Sequence, residues 1–246
     1  MRVRRLLLVA VTVGAVSGPL AVLGATAPTA GGSGTSGTVD TVLPAAAVPP
    51  PAVEVQPEPS PVVEVLVEQP VVPEGDGVPV RVPGTGRPAG SGPLVRYSVA
   101  VEGGLGIDPV AFAAEVEAVL SDPRSWGAGG RGTFQRVDSE PVDVKVVLAS
   151  PATTDRLCAP LTTGGTLSCG VGEVAVLNAL RWLRGADAYE GELGRYRQYL
   201  VNHEVGHTLG HGHERCPGPG RPAPVMVQQT LGVGECVAQP WPYPSP

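Results

Sequence analysis

The chain has 246 residues, with 17 basic against 23 acidic side chains and a formal charge of −6, which excludes a nucleic-acid binder working through a basic surface. All ten aromatics fall at or after Tyr97, all four cysteines at or after Cys158, and all four histidines between His203 and His213. This asymmetry divides a featureless N-terminal third from one globular domain over 94–246, long enough to bury a core without outside help.

Arg2, Arg4 and Arg5 precede an uncharged run from Leu6 to Ala27, which as a helix can just cross a bilayer core. The pattern predicts export, with 1–27 either a cleaved signal peptide or a retained signal anchor. Ala25-Thr26-Ala27 favours cleavage, and Pro28 directly after it opposes it. In either case the chain beyond Pro28 faces outward, so the expected location is extracellular or the cell envelope, with membrane contact only through that first segment. Residues 28–93 hold half of the 28 prolines and no aromatic, a composition that cannot offset ordering entropy by burial and predicts a disordered linker. Within it, 76–83 is the place for a short strand docking onto the domain. An inhibitory pro-segment is the functional alternative for this stretch.

In chain order the domain opens with Leu94 to Glu102, which alternates as a strand. Asp108-Pro109 caps a helix that Asp122-Pro123 ends, with Val110, Ala113, Val116 and Leu120 expected on its buried face. Phe134–Val137 and Val142–Ala149 read as strands, the second with Val142, Val144, Val146 and Leu148 on one face and Asp143, Lys145 and Val147 on the other. Leu167–Cys169 and Glu173–Leu177 flank a turn at Gly170–Gly172 as a hairpin, and Glu173 to Leu180 is the candidate to offer a free sheet edge to an extended peptide. A last helix begins near Glu190, its stripe Leu193, Tyr196, Leu200 running at helical spacing into His203 and His207. This order of elements predicts an α+β fold with a small mixed sheet.

The chemistry sits in residues 203–213, His203-Glu204-Val205-Gly206-His207-Thr208-Leu209-Gly210-His211-Gly212-His213. Histidines four apart project from neighbouring turns of one helix face, so His203 and His207 can reach one tetrahedral zinc ion at ~2.0–2.1 Å. Glu204 lies beside that stripe, where its carboxylate can act on water as a general base without ligating the metal. A third ligand must come from further on. On a continued helix His211 would lie ~12 Å along the axis from His203 at ~1.5 Å per residue, too far to share an ion comfortably. Gly210 offers instead a left-handed helix stop that turns the chain back and brings His213 to the metal, with His211 left to solvent or to an outer supporting position.

The string His-Glu-x-x-His-x-x-Gly-x-x-His resembles the extended zinc motif of the metzincin metalloproteases, here complete. That resemblance implies a metzincin-like zinc protease domain with an active-site helix, an irregular C-terminal region, and a methionine-containing turn beneath the zinc. Met226, in Pro224-Val225-Met226, stands where such a turn belongs, and Gln228 stands where several subfamilies carry a tyrosine. The stretch His203 to Met226 and the hairpin around Cys158 and Cys169 also resemble a family of uncharacterised exported actinobacterial proteins, a likeness covering most of 94–246.

Four cysteines in an exported chain read as two disulfides, and sequence proximity favours Cys158–Cys169 and Cys216–Cys236. Cys216 as a zinc ligand is the rival. The expectation for 94–246 is a secreted or membrane-tethered zinc endopeptidase that hydrolyses peptide bonds with zinc-activated water and Glu204 as general base. A zinc amidase on cell-wall peptides and a catalytically silent, zinc-holding envelope module are the alternatives. Expected partners are a peptide or protein substrate and no nucleic acid, with the chain a monomer. Tyr189, Tyr196, Tyr199 and Arg215 stand near enough in sequence to donate to a transition state, though none is assigned that role.

Overall fold

A computed structural model of the chain describes residues 68–244. The signal segment 1–27 and the linker as far as residue 67 lie outside the described residues. Among the described residues the fold is α+β, a mixed seven-stranded sheet with four α-helices. The strands are β1 (Pro79–Arg81), β2 (Ala89–Ser91), β3 (Leu94–Glu102), β4 (Gly132–Arg136), β5 (Val144–Ala149), β6 (Cys169–Val171) and β7 (Val174–Asn178). The helices are α1 (Pro109–Leu120), α2 (Pro151–Cys158), α3 (Ala179–Arg184) and α4 (Leu193–Thr208). No described helix is long and apolar enough to cross a membrane.

The sheet runs β2-β4-β3-β5-β7-β6, with β1 pairing β3 beyond the end of β4. β4, β3, β5 and β7 are parallel, whereas β6 returns antiparallel to β7. β5 shows why the sheet separates two cores: Val144, Val146 and Leu148 join the large cluster, while Val147 and Ala149 point to the other face. On the large side α1 and α4 pack through Phe112, Val116, Tyr196, Leu200 and Val205. On the small side Cys158 of α2 and Cys169 of β6 pack against Val147 and Val176.

Several expectations need correction. The domain begins before residue 94, because β1 and β2 extend the sheet and Val82 is buried in the large core. A stretch rich in proline and glycine has no core of its own, but it can borrow one from a preformed sheet edge. The docking strand expected within 76–83 is β1. Val110 is 68% exposed in the first turn of α1, and the buried face is carried instead by Phe112, Ala113, Val116, Val119 and Leu120. The hairpin strand at Glu173–Leu180 is no edge, since β7 pairs with β5 on one side and β6 on the other. That leaves β6 as the border of the sheet. The last helix starts at Leu193 and not at Glu190, because Glu190 and Gly191 both sit at positive φ, 49° and 84°.

Helices α2 and α3 escaped the pattern reading because each is short. Both carry a local start signal nonetheless: Ser150 accepts from Thr153 N ahead of Pro151, and Asn178 accepts from Leu180 N.

Candidate metal centre

Helix α4 lies between the border of the sheet and the chain segment around Met226, and two glycines make that fit available. A Cβ on Gly206 would stand 2.6 Å from both Met226 Sδ and Trp126 Cζ2. A Cβ on Gly170 of β6 would stand 2.4 Å from His207 Cβ and 2.5 Å from the Glu204 carbonyl oxygen. The helix is further anchored through Asn202, whose side-chain oxygen accepts from Ser125 Oγ and whose backbone carbonyl accepts from Trp126 Nε1, each at 2.8 Å.

Gly210 ends the helix, as its sequence position suggested. It adopts φ 89°, its N–H donates to the His207 carbonyl at 3.0 Å, and His211 N donates to the Gly206 carbonyl at 3.0 Å. This pair of bonds satisfies carbonyls that a helix end would otherwise leave open, and it reverses the chain. The reversal separates the two remaining histidines. His211 turns away to stack on Trp126 with ring centroids 4.3 Å apart, while His213 returns to the other imidazoles.

The ligand atoms of His203, His207 and His213 lie within 4.8 Å of one another, with His203 buried, His207 half-buried and His213 exposed. His203 Nδ1 faces the Val225 carbonyl at 2.8 Å, and His207 Nδ1 faces the His211 carbonyl at 2.9 Å. A carbonyl can only accept, so both Nδ1 atoms carry a proton and Nε2 is the atom each ring can offer as a ligand. His207 Nε2 and His213 Nε2 approach to 3.2 Å. Three imidazoles converging from a fixed frame are a donor set suited to a metal ion. Burial, and secondarily the neighbouring His207 and His213, push the His203 imidazole down to about 3; burial and His207 push His213 down as well. Both rings are therefore neutral near pH 7, the form a metal requires.

Glu204 is 5% exposed and lines the same cavity as the three histidines, and burial pushes its carboxyl up to about 8. Met226 is buried beneath α4, and its carbonyl accepts from Glu214 N at 2.9 Å, just beyond His213. The tyrosines have structural employment. Tyr199 OH donates to the Val227 carbonyl at 3.1 Å and accepts from Gln229 N at 2.9 Å. Tyr189 OH donates to Gln229 Oε1, and Tyr196 OH pairs with Thr230 Oγ1. Together they tie 227–230 to the helix; Tyr199 alone of the three also faces the cavity. Arg215 is exposed and does not line it.

Both expected disulfides are present, Cys158–Cys169 and Cys216–Cys236, so the described chain has no free cysteine and Cys216 is unavailable as a ligand. Two disulfides mark a chain that matures in an oxidising compartment. Residues that sequence reasoning missed are those brought in from a distance: Val225 as an acceptor, Gly170 as the point of closest approach, and the loop 161–168 as a wall of the cavity. Cys158 and Cys169 were the only sequence signal for that loop.

Comparison with curated proteins and with solved structures returns no match. A family model described as "Protein of unknown function (DUF3152)" matches residues 68–244, the stretch over which the sheet, the helices and the histidine cluster are described. The chain belongs to this DUF3152 family of proteins of unknown function.

Proposed function

We propose that the chain is an exported zinc-dependent endopeptidase of metzincin type, in which His203, His207 and His213 hold the ion and Glu204 is the general base. The observation that carries this reading is the convergence of three imidazoles within 4.8 Å in a cavity that also contains the buried Glu204 carboxyl. Three neutral protein ligands suit a catalytic zinc, which keeps a position open, better than a closed structural site. When bound, zinc supplies Lewis acidity that activates water and polarises a peptide carbonyl.

The chain's own groups do the rest. The Val225 and His211 carbonyls hold two imidazoles in one tautomer and one orientation. Glu204, its pKa raised by burial, would be favoured in the ionised form of a base once the histidines were loaded. Glu204 then takes a proton from the attacking water and delivers it to the leaving amine. β6, at the border of the sheet, supplies a backbone edge against which an extended substrate can lie, since Cys169 and Gly170 line the same cavity.

The test uses the full chain produced in an oxidising compartment. One equivalent of zinc in both wild type and Glu204→Gln, with cleavage of a peptide library by wild type alone, is the expected result. One equivalent in both with no cleavage shifts the reading to a cell-wall amidase or a binding module, and absence of zinc removes it.

A further inference from the structure

Gln229 follows Met226 by three residues and is fully buried. Burying a primary amide is costly unless its donors and its acceptor all find partners, and here they do. Nε2 donates to the Gln239 carbonyl at 2.8 Å and to the Pro224 carbonyl at 3.2 Å. Oε1 accepts from Tyr189 OH at 2.9 Å and from Gln239 N at 3.0 Å. These partners allow the amide one orientation. The two carbonyls can only accept and Gln239 N can only donate, so a flipped amide would set oxygen against oxygen and N–H against N–H.

The backbone of the same residue extends the network. Gln229 N donates to Tyr199 OH at 2.9 Å, and Tyr199 OH donates to the Val227 carbonyl at 3.1 Å. Val227 N donates in turn to the Pro224 carbonyl at 3.0 Å. The Pro224 carbonyl is therefore held from two sides, and it stands one peptide before the Val225 carbonyl that accepts from His203 Nδ1 at 2.8 Å. Consecutive planar peptides share a single Cα, so fixing the first restricts the direction in which the second carbonyl points.

Resting on the reading that the three histidines hold a metal ion, we infer that Gln229 is a positioning residue for the metal centre. It fixes the Val225 carbonyl through Pro224 and thereby sets the tautomer and direction of His203. Its bonds to Tyr189 and Gln239 bring that restraint from chain well outside the histidine motif. His207 lies beyond its reach, because its Nδ1 is held by the His211 carbonyl after the helix has ended.

Gln229→Glu keeps the shape of the side chain and removes both donors, leaving a carboxylate oxygen against the Pro224 and Gln239 carbonyls. The full chain is produced in an oxidising compartment, and the imidazole tautomers of the metal-free protein are read from proton–nitrogen NMR correlations of the rings. His203 is expected wholly as the Nδ1–H tautomer in wild type and with roughly a tenth or more of the Nε2–H form in the variant, while His207 is unchanged. Zinc affinity, measured against a chromophoric chelator, should fall about tenfold or more. An added negative charge by itself attracts a cation, so weaker binding reports displaced geometry and not the change of charge. Glu102→Ala breaks a different buried network, around Ser150, Thr153 and Gly77, and should keep both the tautomer and the affinity.

If Gln229→Glu does not fold, Tyr189→Phe removes one bond to Oε1 and should lower zinc affinity about threefold with a detectable Nε2–H form of His203. An unchanged His203 tautomer in the folded variant, or an equal change in Glu102→Ala, overturns the inference and spares the peptidase reading. If the wild type binds no zinc the peptidase reading fails, and the tautomers of the metal-free protein then decide the role of Gln229 by themselves.

Discussion

His203 donates its Nδ1 proton to the carbonyl of Val225 at 2.8 Å, and Val225 directly precedes Met226, whose side chain packs against Gly206 one turn along the same helix. The segment that supports the helix from below therefore also sets the tautomer and direction of its most buried imidazole. Packing and chemistry are joined here in two consecutive residues.

If the three histidines act as one metal site, each contributes a ligand that nothing nearby replaces. His203→Ala, His207→Ala and His213→Ala should each weaken zinc binding by more than the roughly 10–100-fold typical of losing an outer-shell partner, while Glu204→Gln retains one equivalent. Competition titration against a chromophoric chelator measures all four. Retention of tight binding by any of the histidine variants would break the assignment.

The metal-free protein should be most stable on a plateau between about pH 4.5 and 6.5 and lose stability on either side. His203 is held near 3 in the folded state against about 6.5 unfolded, so its contribution shrinks as pH drops below 6.5 and levels off only near 3. Glu204 is held near 8 against about 4.5 unfolded, so its contribution shrinks as pH rises from 4.5 towards 8; the two slopes offset each other between 4.5 and 6.5, and the loss towards pH 8 is that of Glu204 alone. Glu204→Gln removes the second limb and should stabilise the metal-free chain at pH 8 by on the order of 2–4 kcal/mol. Urea unfolding between pH 5 and pH 9 checks the sign. A stability that rises towards pH 8 in the wild type contradicts it.

The two close-approach glycines should tolerate no side chain. Gly206→Ala places a methyl 2.6 Å from both Met226 Sδ and Trp126 Cζ2; the thioether can yield, but the indole is held by its hydrogen bond to the Asn202 carbonyl, so the cost lies at or above the upper end of about 1–3 kcal/mol. Gly170→Ala meets the Glu204 backbone oxygen at 2.5 Å, which cannot yield without moving the helix or the border strand. Gly206→Ala is therefore expected to lower the melting temperature and keep zinc. Gly170→Ala should lower zinc affinity as well, and comparing the two by calorimetry and metal titration separates the effects.

Glu102 binds the N-terminal arm to the domain. Its carboxylate accepts from Ser150 N at 2.6 Å, Thr153 Oγ1 at 2.7 Å and Gly77 N at 2.8 Å. Burial pushes its pKa up, but those hydrogen bonds outweigh it and hold the group below the usual carboxylate range. The resulting stability is present above the unfolded pKa and is lost as pH falls through the folded one. Glu102→Ala strands these donors and should cost about 2–4 kcal/mol. Limited proteolysis should then cut near Asp76, and full resistance there would show that the arm is held by other contacts.

Local signals were enough for much of this protein. Alternation identified β3 residue for residue and both faces of β5, Asp108-Pro109 marked the start of α1, and Gly210 marked the end of α4. The i, i+4 spacing of His203 and His207 and the turn after Gly210 brought out the cluster of three histidines that could hold an ion, and proximity paired the cysteines, because each depends on contacts within a few turns of chain. The rest required parts of the chain remote in sequence to meet. β6 and not β7 borders the sheet because the order of strands is a matter of pairing, which composition does not encode. The arm before residue 94 folds only because β3 and β4 present it with edges. The acceptor for His203 lies 22 residues away at Val225, and a wall of the cavity comes from a loop that ends before β6 begins. Periodicity reports which face of an element is buried, but only the packed structure decides what that face meets.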